Sequence, residues 1–517
     1  MKNLEAFKQQ LTEGYTFKGD YITIGGAIYN NEPQQNCFIN IPLKTLNRHG
    51  LIAGATGTGK TVTLQIIAEQ LSAKGIPVLM MDLKGDLSGI AAAGTLNPKI
   101  EERHNEIGLP YTTQATPIEL LTLSSEKGAK LRATVSEFGP VLFSKILDLN
   151  DTQGGIVAIV FKYADDHQMP LLDLKDFKSI LQFFTNKGKT DVQKEYGNIS
   201  LASISTILRK VIELESQGAE AFFGERSFEV TDLVRKEGEK GIVSIVSLTD
   251  IQDKPKLFST FMLCLLAEIY HSFPEAGDLD KPKLCVFIDE AHLIFNEAPA
   301  PLLNQIESII KLIRSKGIGI FFCTQNPYDI PDVVLSQLGL KVQHALRAFT
   351  EKDRKAIKKT AENYPISEFY KTDELLTSLG IGQAIVSILN EKGIPTPLAA
   401  VHLRAPMSRM GILTEEEIKQ VVSKSTILNK YNEEIDRESA YEILTKKITQ
   451  ASEKVETSPE KSNSKQPATT KEEPNLIEQL SKNTMVRQVG RTVFKEVTRG
   501  LLGVLGLKDN SKKKGWF

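Results

Sequence analysis

The sequence predicts an α/β fold: a parallel-sheet core opened by a Gly-rich loop, interrupted by a mainly helical insertion and followed by a short helical C-terminal tail. Three observations carry this prediction. The loop Gly54-Ala-Thr-Gly-Thr-Gly-Lys-Thr61 stands between an apolar run and a helical pattern. Four later apolar runs, of the kind buried on both faces of a parallel sheet, alternate with helical patterns. Between residues 90 and 238 helical patterns dominate and such runs are scarce. Composition agrees with this class. Hydrophobic residues at 41% and charged residues at 25% exclude a wholly disordered, collagenous or coiled-coil chain. A length of 517 residues calls for more than one core, about three units at ordinary domain size.

In chain order, residues 1–50 form a short strand-rich lead-in, with strand-like stretches at Tyr21–Ile24 and Asn36–Ile41. Residues 51–89 open the core as strand, loop, helix, strand. Leu51–Ala53 precede the loop, and Val62, Leu64, Ile66, Ile67 and Leu71 then recur at helical spacing. Gly75 ends that helix, and Ile76–Met81 is a continuous apolar run. Residues 90–238 read as the helical insertion, with helices near Phe177–Thr185 and Leu201–Glu215. The core resumes over 239–410 with strands at Gly241–Leu248, Leu284–Ile288, Ile318–Cys323 and Gln383–Ile388. C-terminal helices are expected over 411–452. Residues 453–474, rich in Ser, Lys, Glu, Pro and Thr, read as a disordered linker. Residues 475–517 regain helical spacing through Val486, Val489, Val493, Val497 and Leu501, with Arg487, Arg491, Lys495 and Arg499 beside them.

Two motifs carry chemistry. Gly54, Ala55, Thr56, Gly57, Thr58, Gly59, Lys60 and Thr61 match GxxxxGK[ST] in full. Its glycines let backbone amides wrap a phosphate, and the following helix points its positive end at it. Lys60 is expected to reach the β- and γ-phosphates of ATP, and the Thr61 hydroxyl to ligand Mg²⁺. The second motif is the apolar run Leu284–Ile288 ending in Asp289 and Glu290. An acid at the end of a buried strand beside the loop strand can hold Mg²⁺, and the next can polarise the attacking water. His292 has a structural role as its simpler reading.

With those motifs in place, the chain resembles the HerA/FtsK superfamily of ring-forming P-loop ATPases, and within it the HerA-like bacterial family typified by the YjgR proteins. The strings that carry the resemblance are His49–Thr61, Met81–Ser88, Glu137–Phe143, Leu149–Gln153, Phe287–His292 and Thr324–Pro327. The resemblance implies a RecA-like core, homo-hexamers and ATP sites completed by a neighbouring subunit. It implies a γ-phosphate-sensing role for Gln325 and a role in trans as an arginine finger for Arg314, with Arg347 as the second candidate. Asp82 and Lys84 are expected near the nucleotide or the ring interface. Two features depart from HerA proper: Asn326 stands where Arg is frequent, and the lead-in is shorter than its N-terminal β-barrel.

Charge and cysteines narrow the partners. Lys and Arg (63) balance Asp and Glu (64), so no global field attracts nucleic acid and any such affinity needs a local patch. The four cysteines are widely spaced, so neither a disulfide framework nor a metal cluster is expected, and a reducing cytoplasmic setting fits. No apolar run is long enough to cross a bilayer; Leu257–Tyr270 is short and contains Glu268. Residues 480–517 hold nine basic against two acidic residues. A basic amphipathic helix of that kind can grip nucleic acid, an anionic membrane or an acidic protein surface. The leading expectation is an ATP-hydrolysing ring motor acting on double-stranded DNA as a translocase or helicase-like protein. A protein-remodelling ATPase and a slow nucleotide-gated binding module are the alternatives.

Overall fold

The computed structural model describes residues 2–123, 127–297, 300–433, 435 and 437–456. They form two compact units. The first joins the residues up to Leu131 to Phe228–Glu433, and the second joins Arg132–Ser227 to the described residues after Glu433.

The first unit begins with α1 (Lys2–Gly14), β1 (Tyr21–Tyr29), β2 (Glu32–Pro42) and β3 (Gly50–Ala53). It continues through α2 (Lys60–Ala73), β4 (Val78–Asp82), α3 (Pro98–Ile107), β5 (Ile118–Thr122) and β6 (Ala129–Lys130). The second unit then contributes α4 (Val135–Ile146), α5 (Asp151–Asp166), α6 (Leu174–Thr185), α7 (Lys189–Tyr196) and α8 (Leu201–Ser216). The chain returns to the first unit with a small hairpin, β7 (Lys236–Glu237) and β8 (Lys240–Gly241), then β9 (Val243–Ser247), α9 (Pro255–Ser272) and β10 (Leu284–Ile288). α10 (His292–Glu297), α11 (Ala300–Ile313), β11 (Ile318–Thr324), α12 (Asp332–Leu335) and β12 (Leu340–Gln343) follow. The unit closes with α13 (Glu351–Glu362), α14 (Thr372–Ser378), β13 (Gln383–Ser387), β14 (Ala399–Leu403), α15 (Glu415–Ser423) and α16 (Leu428–Asn432); α17 (Ala440–Glu456) belongs to the second unit.

One 12-stranded sheet organises the first unit, in the order β2-β1-β14-β13-β12-β3-β11-β10-β4-β9-β5-β6. From β12 to β6 every pairing is parallel. Its central strands are buried at every position, as in Leu284–Ile288 and Ile318–Thr324, which is why they read as unbroken apolar runs. The strand at Gln383–Ser387, expected to continue the parallel alternation, is instead antiparallel to both β12 and β14. The link from β13 to β14 is too short for the helical crossover that a parallel pair needs. β1 and β2 extend this antiparallel edge, so the lead-in is part of the same sheet.

Residues 90–131, expected within the helical insertion, also supply strands to the sheet: β5 pairs with β9, and β6 with β5. The run Ile118-Glu-Leu-Leu-Thr122 hides its character because Glu119 interrupts it. That carboxylate is buried and accepts from Arg235 Nη2 at 2.9 Å. A paired charge therefore occupies a core-facing strand position that a hydropathy pattern treats as exposed.

In the second unit an aromatic core of Phe138, Phe143, Phe161, Phe177, Phe222 and Phe223 joins α4, α5 and α6 to the segment after α8. The buried Asp176 carboxylate accepts from the amides of Leu172, Asp173 and Tyr441, which ties α17 to the start of α6. The linker expected at 453–474 overlaps the end of α17 as far as Glu456. The rest of it, and the basic element expected at 475–517, lie outside the described residues.

Candidate nucleotide site

Strand register fixes what meets at the carboxyl edge of the sheet. Thr324 of β11 stands level with Ala53 of β3, Ile288 of β10 with Phe322, and Met81 of β4 with Ile288. The loop after β3, Asp82, Asp289–Glu290 and Gln325 therefore leave the sheet side by side. This is the edge where ligands bind in open α/β sheets.

The loop from Gly54 to Gly59 is shaped by backbone that side chains resist. Gly54, Gly57 and Gly59 have φ of 153°, 76° and 108°. At Gly54 a Cβ would also meet His344 Cβ at 2.5 Å. Gly54 N donates to Thr324 O and Ala55 N to Ala345 O, so the neighbouring strands clamp the loop entry. Its exit is clamped by Gly382 N donating to Thr58 O. α2 then starts at Lys60 with no side-chain cap. Its first-turn amides thus face the loop interior, the arrangement that favours an anion.

Lys60 is buried, and its ammonium donates to Gly54 O at 2.7 Å and Ala55 O at 3.1 Å. Burial lowers its pKa, helped by the Lys84 ammonium and opposed by Glu290 and Asp289. The Asp86 carboxylate lies near the Thr61 hydroxyl, and burial raises the Asp86 pKa. Asp289 is buried with its Oδ2 unpartnered, and desolvation raises its pKa too. Glu290 is buried on a backbone of φ 45°. Its Oε1 pairs with Lys84 Nζ, while Oε2 has no hydrogen bond; His292 Nδ1 lies 3.2 Å from Oε2 but off the hydrogen-bonding direction. Burial disfavours the Lys84 charge, yet the bond to Glu290 and the nearby Asp289 hold its pKa above the ordinary value.

Asp82 serves the loop after β4. Its carboxylate accepts from the amides of Gly85, Asp86 and Leu87 at 2.7, 3.2 and 3.1 Å. Desolvation nonetheless pushes its pKa up to about 6. Gln325 is exposed, and Thr56 Oγ1 donates to its Oε1 at 3.3 Å.

The two arginines separate. Arg347 is exposed two residues after Ala345, whose carbonyl holds the loop, so it lies on the site's edge of the sheet. Arg314 stands in a short turn before β11, at the opposite edge. The length of β11 puts about 20 Å between that end and Gln325. Within one chain Arg314 is therefore not at this site.

Two residues here were not singled out from sequence. Asp86 lies near Thr61, and its place in the Met81–Ser88 string was its only signal. His344 packs under Gly54, and its Nε2 lies 2.9 Å from Thr63 Oγ1. Burial, with Lys60 nearby, lowers the His344 pKa to about 4, so it is neutral. A histidine ending a buried strand gave no pattern that distinguishes this role.

The residues present fit a magnesium nucleotide. Two buried carboxylate oxygens without hydrogen bonds are offered here: Asp289 Oδ2, whose carboxylate acts on Lys60, and Asp86 Oδ1, whose carboxylate lies near the Thr61 hydroxyl. Oxygen donors of this kind suit Mg²⁺. Among the described residues no group of three or more His, Cys, Asp or Glu could hold a metal by itself. Phosphate oxygens would have to complete the set.

Comparison with known proteins agrees with this geometry. The family profile described as "Helicase HerA-like C-terminal" matches residues 27–510. A DNA double-strand break repair helicase HerA from Sulfolobus acidocaldarius is 23% identical over 402 residues, 76% of this chain and 72% of that protein. Its namesake from Saccharolobus solfataricus is 25% identical over 388 residues, 74% and 69% of the two chains. Among solved structures, plasmid coupling protein TrwB in complex with the non-hydrolysable ATP analogue ADPNP superposes with a TM-score of 0.51 at 14% identity, covering 78% of this chain and 95% of that one. The likeness is one of fold, and that fold is the RecA-like P-loop α/β core.

Proposed function

Because the chain belongs to the Helicase HerA-like C-terminal family, we propose that it is an ATP-hydrolysing motor that assembles as a homo-hexamer and moves along double-stranded DNA. The observation that carries the ATPase part is the convergence of Lys60, Thr61, Asp289 and Glu290 at the carboxyl ends of β3 and β10, with the sheet's parallel register holding them in place. The DNA part rests on the family and on relatives named as DNA repair helicases.

In this reading Lys60 gives up its carbonyl partners for the β- and γ-phosphates. Thr61 and Asp289 would hold Mg²⁺, which when bound would neutralise developing phosphate charge. Glu290 Oε2, which has no hydrogen bond, accepts the proton of the attacking water, whose oxygen bonds to the γ-phosphorus as the bridging bond to the β-phosphate breaks. Gln325, beside Thr56, reports the γ-phosphate to β11 and so to the rest of the sheet.

The test is ATPase turnover of the purified oligomer with and without double-stranded DNA, with Lys60→Ala as control. Turnover that rises with DNA and vanishes in the control supports the motor. Turnover indifferent to DNA points to a protein-remodelling ATPase, and no turnover to a nucleotide-gated binding module. A Lys60→Ala protein as active as the parent overturns the site itself.

A further inference from the structure

We propose that Lys84 is a second γ-phosphate sensor of this site beside Gln325: its ammonium holds the Glu290 carboxylate and competes for the terminal phosphate, coupling that phosphate to the position of the base. The inference rests on the nucleotide-site reading above and adds a positioning residue to it.

The two partners are unequally placed. The Glu290 side chain is 8% exposed, whereas that of Lys84 is 42% exposed. An ammonium has three donors, and Glu290 Oε1 takes one. The exposure of the Lys84 side chain leaves the remaining donors accessible. Lys84 meets Glu290 at the end of β10, and Lys60 sits on the loop carbonyls after β3, so both ammoniums stand at the same carboxyl edge of the sheet. Lys60 is committed by the loop to the β/γ region, which leaves Lys84 on the γ side, next to the base.

The mounting of each residue is stiff, which a sensor needs. The Lys84 loop is held by three amides on Asp82 and by the Gln252 side chain donating to Leu83 O. On the other side Ala291 N donates to Cys323 O at 2.9 Å, fixing the left-handed backbone at Glu290. With both backbones held, the adjustable parts are the Lys84 stem and the Glu290 rotamer. A terminal phosphate competes with Glu290 for the ammonium, and a carboxylate released from it is freer to accept a proton. ADP lacks the competing group and leaves the ion pair closed.

Fluorescent ADP and a fluorescent non-hydrolysable ATP analogue, each with Mg²⁺, are the probes for the parent, Lys84→Ala and Lys84→Arg proteins. Lys84→Ala is expected to weaken the ATP analogue by about tenfold and ADP by less than about twofold, with Lys84→Arg recovering part of the difference. In turnover, Lys84→Ala combined with Glu290→Gln should be no slower than Glu290→Gln alone, because one acts through the other. Lys84→Gln, checked by circular dichroism, replaces the alanine variant if that fails to fold. Equal losses for both nucleotides, an unchanged analogue affinity, or multiplying effects in the double variant overturn the sensor. If Lys60→Ala also binds the analogue normally, the nucleotide-site reading itself fails; if only the Lys84 variants are silent, the sensor alone fails.

Discussion

At Glu290 the backbone does the first part of the positioning. A φ of 45° is uncommon for a residue with a Cβ, and here it ends β10 abruptly and turns the carboxylate into the site. Glu290→Gln keeps shape and removes the proposed base. It is expected to hold nucleotide within a fewfold of the parent while turnover drops by roughly 10²–10⁴. Paired binding and turnover measurements check this; joint loss of both would make the residue structural. The Asp289–Glu290 pair was legible from sequence because an unbroken apolar run ending in two acids marks a buried strand that delivers charge to its carboxyl end. The Lys84 partner was not, because residues 84 and 290 meet only through the pairing of β4 with β10.

At the scale of elements, His49 binds three of them together. It sits at φ 58° where the chain enters β3; its Nε2 bonds Ile310 O of α11 at 2.9 Å, and its Nδ1 accepts from Ile320 N of β11 at 3.1 Å. That pattern requires the neutral ring. Burial, with Arg314 nearby and against the Ile310 bond, lowers its pKa to about 4. The unfolded chain has the ordinary value near 6.5, so it takes up the proton first as pH falls. Stability from this group is complete above about pH 6.5 and drains away down to about pH 4, by about 3 kcal/mol at the acid end. His49→Asn tolerates the left-handed backbone but forfeits the reach. It should cost about 1–2 kcal/mol at pH 7 and flatten the slope of stability between pH 7 and pH 5. Urea midpoints at the two pH values decide; a slope equal to the parent's removes His49 from the account.

At the scale of the whole molecule, the positions of the arginines set the argument. Arg347 is on the nucleotide edge of the sheet and Arg314 on the far edge. An arginine finger from Arg314 therefore has to serve a neighbour's site. Mixing Lys60→Ala with Arg314→Ala subunits should partly restore turnover from two inactive parents, because some interfaces then carry both residues intact. Recovery with Arg347→Ala mixtures and none with Arg314→Ala mixtures would make Arg347 the finger. No described helix is long and apolar enough to cross a membrane.

The sequence by itself determined the α/β class, the phosphate loop and the acidic pair, because each is a local pattern. Burial on both faces writes itself as an apolar run, and a phosphate cradle needs glycines and a lysine at fixed spacing. Only the tertiary structure decided that β13 and β14 run antiparallel, that β5 and β6 belong to the sheet, and that the helical segment after Leu131 is rejoined by α17. The same holds for Asp86 near Thr61, His344 beneath Gly54 and Lys84 on Glu290. In each of these the energy lies in contacts between residues far apart in the chain. A buried charge or an imidazole is acceptable only once its partner is in place, and no local pattern records where that partner will come from.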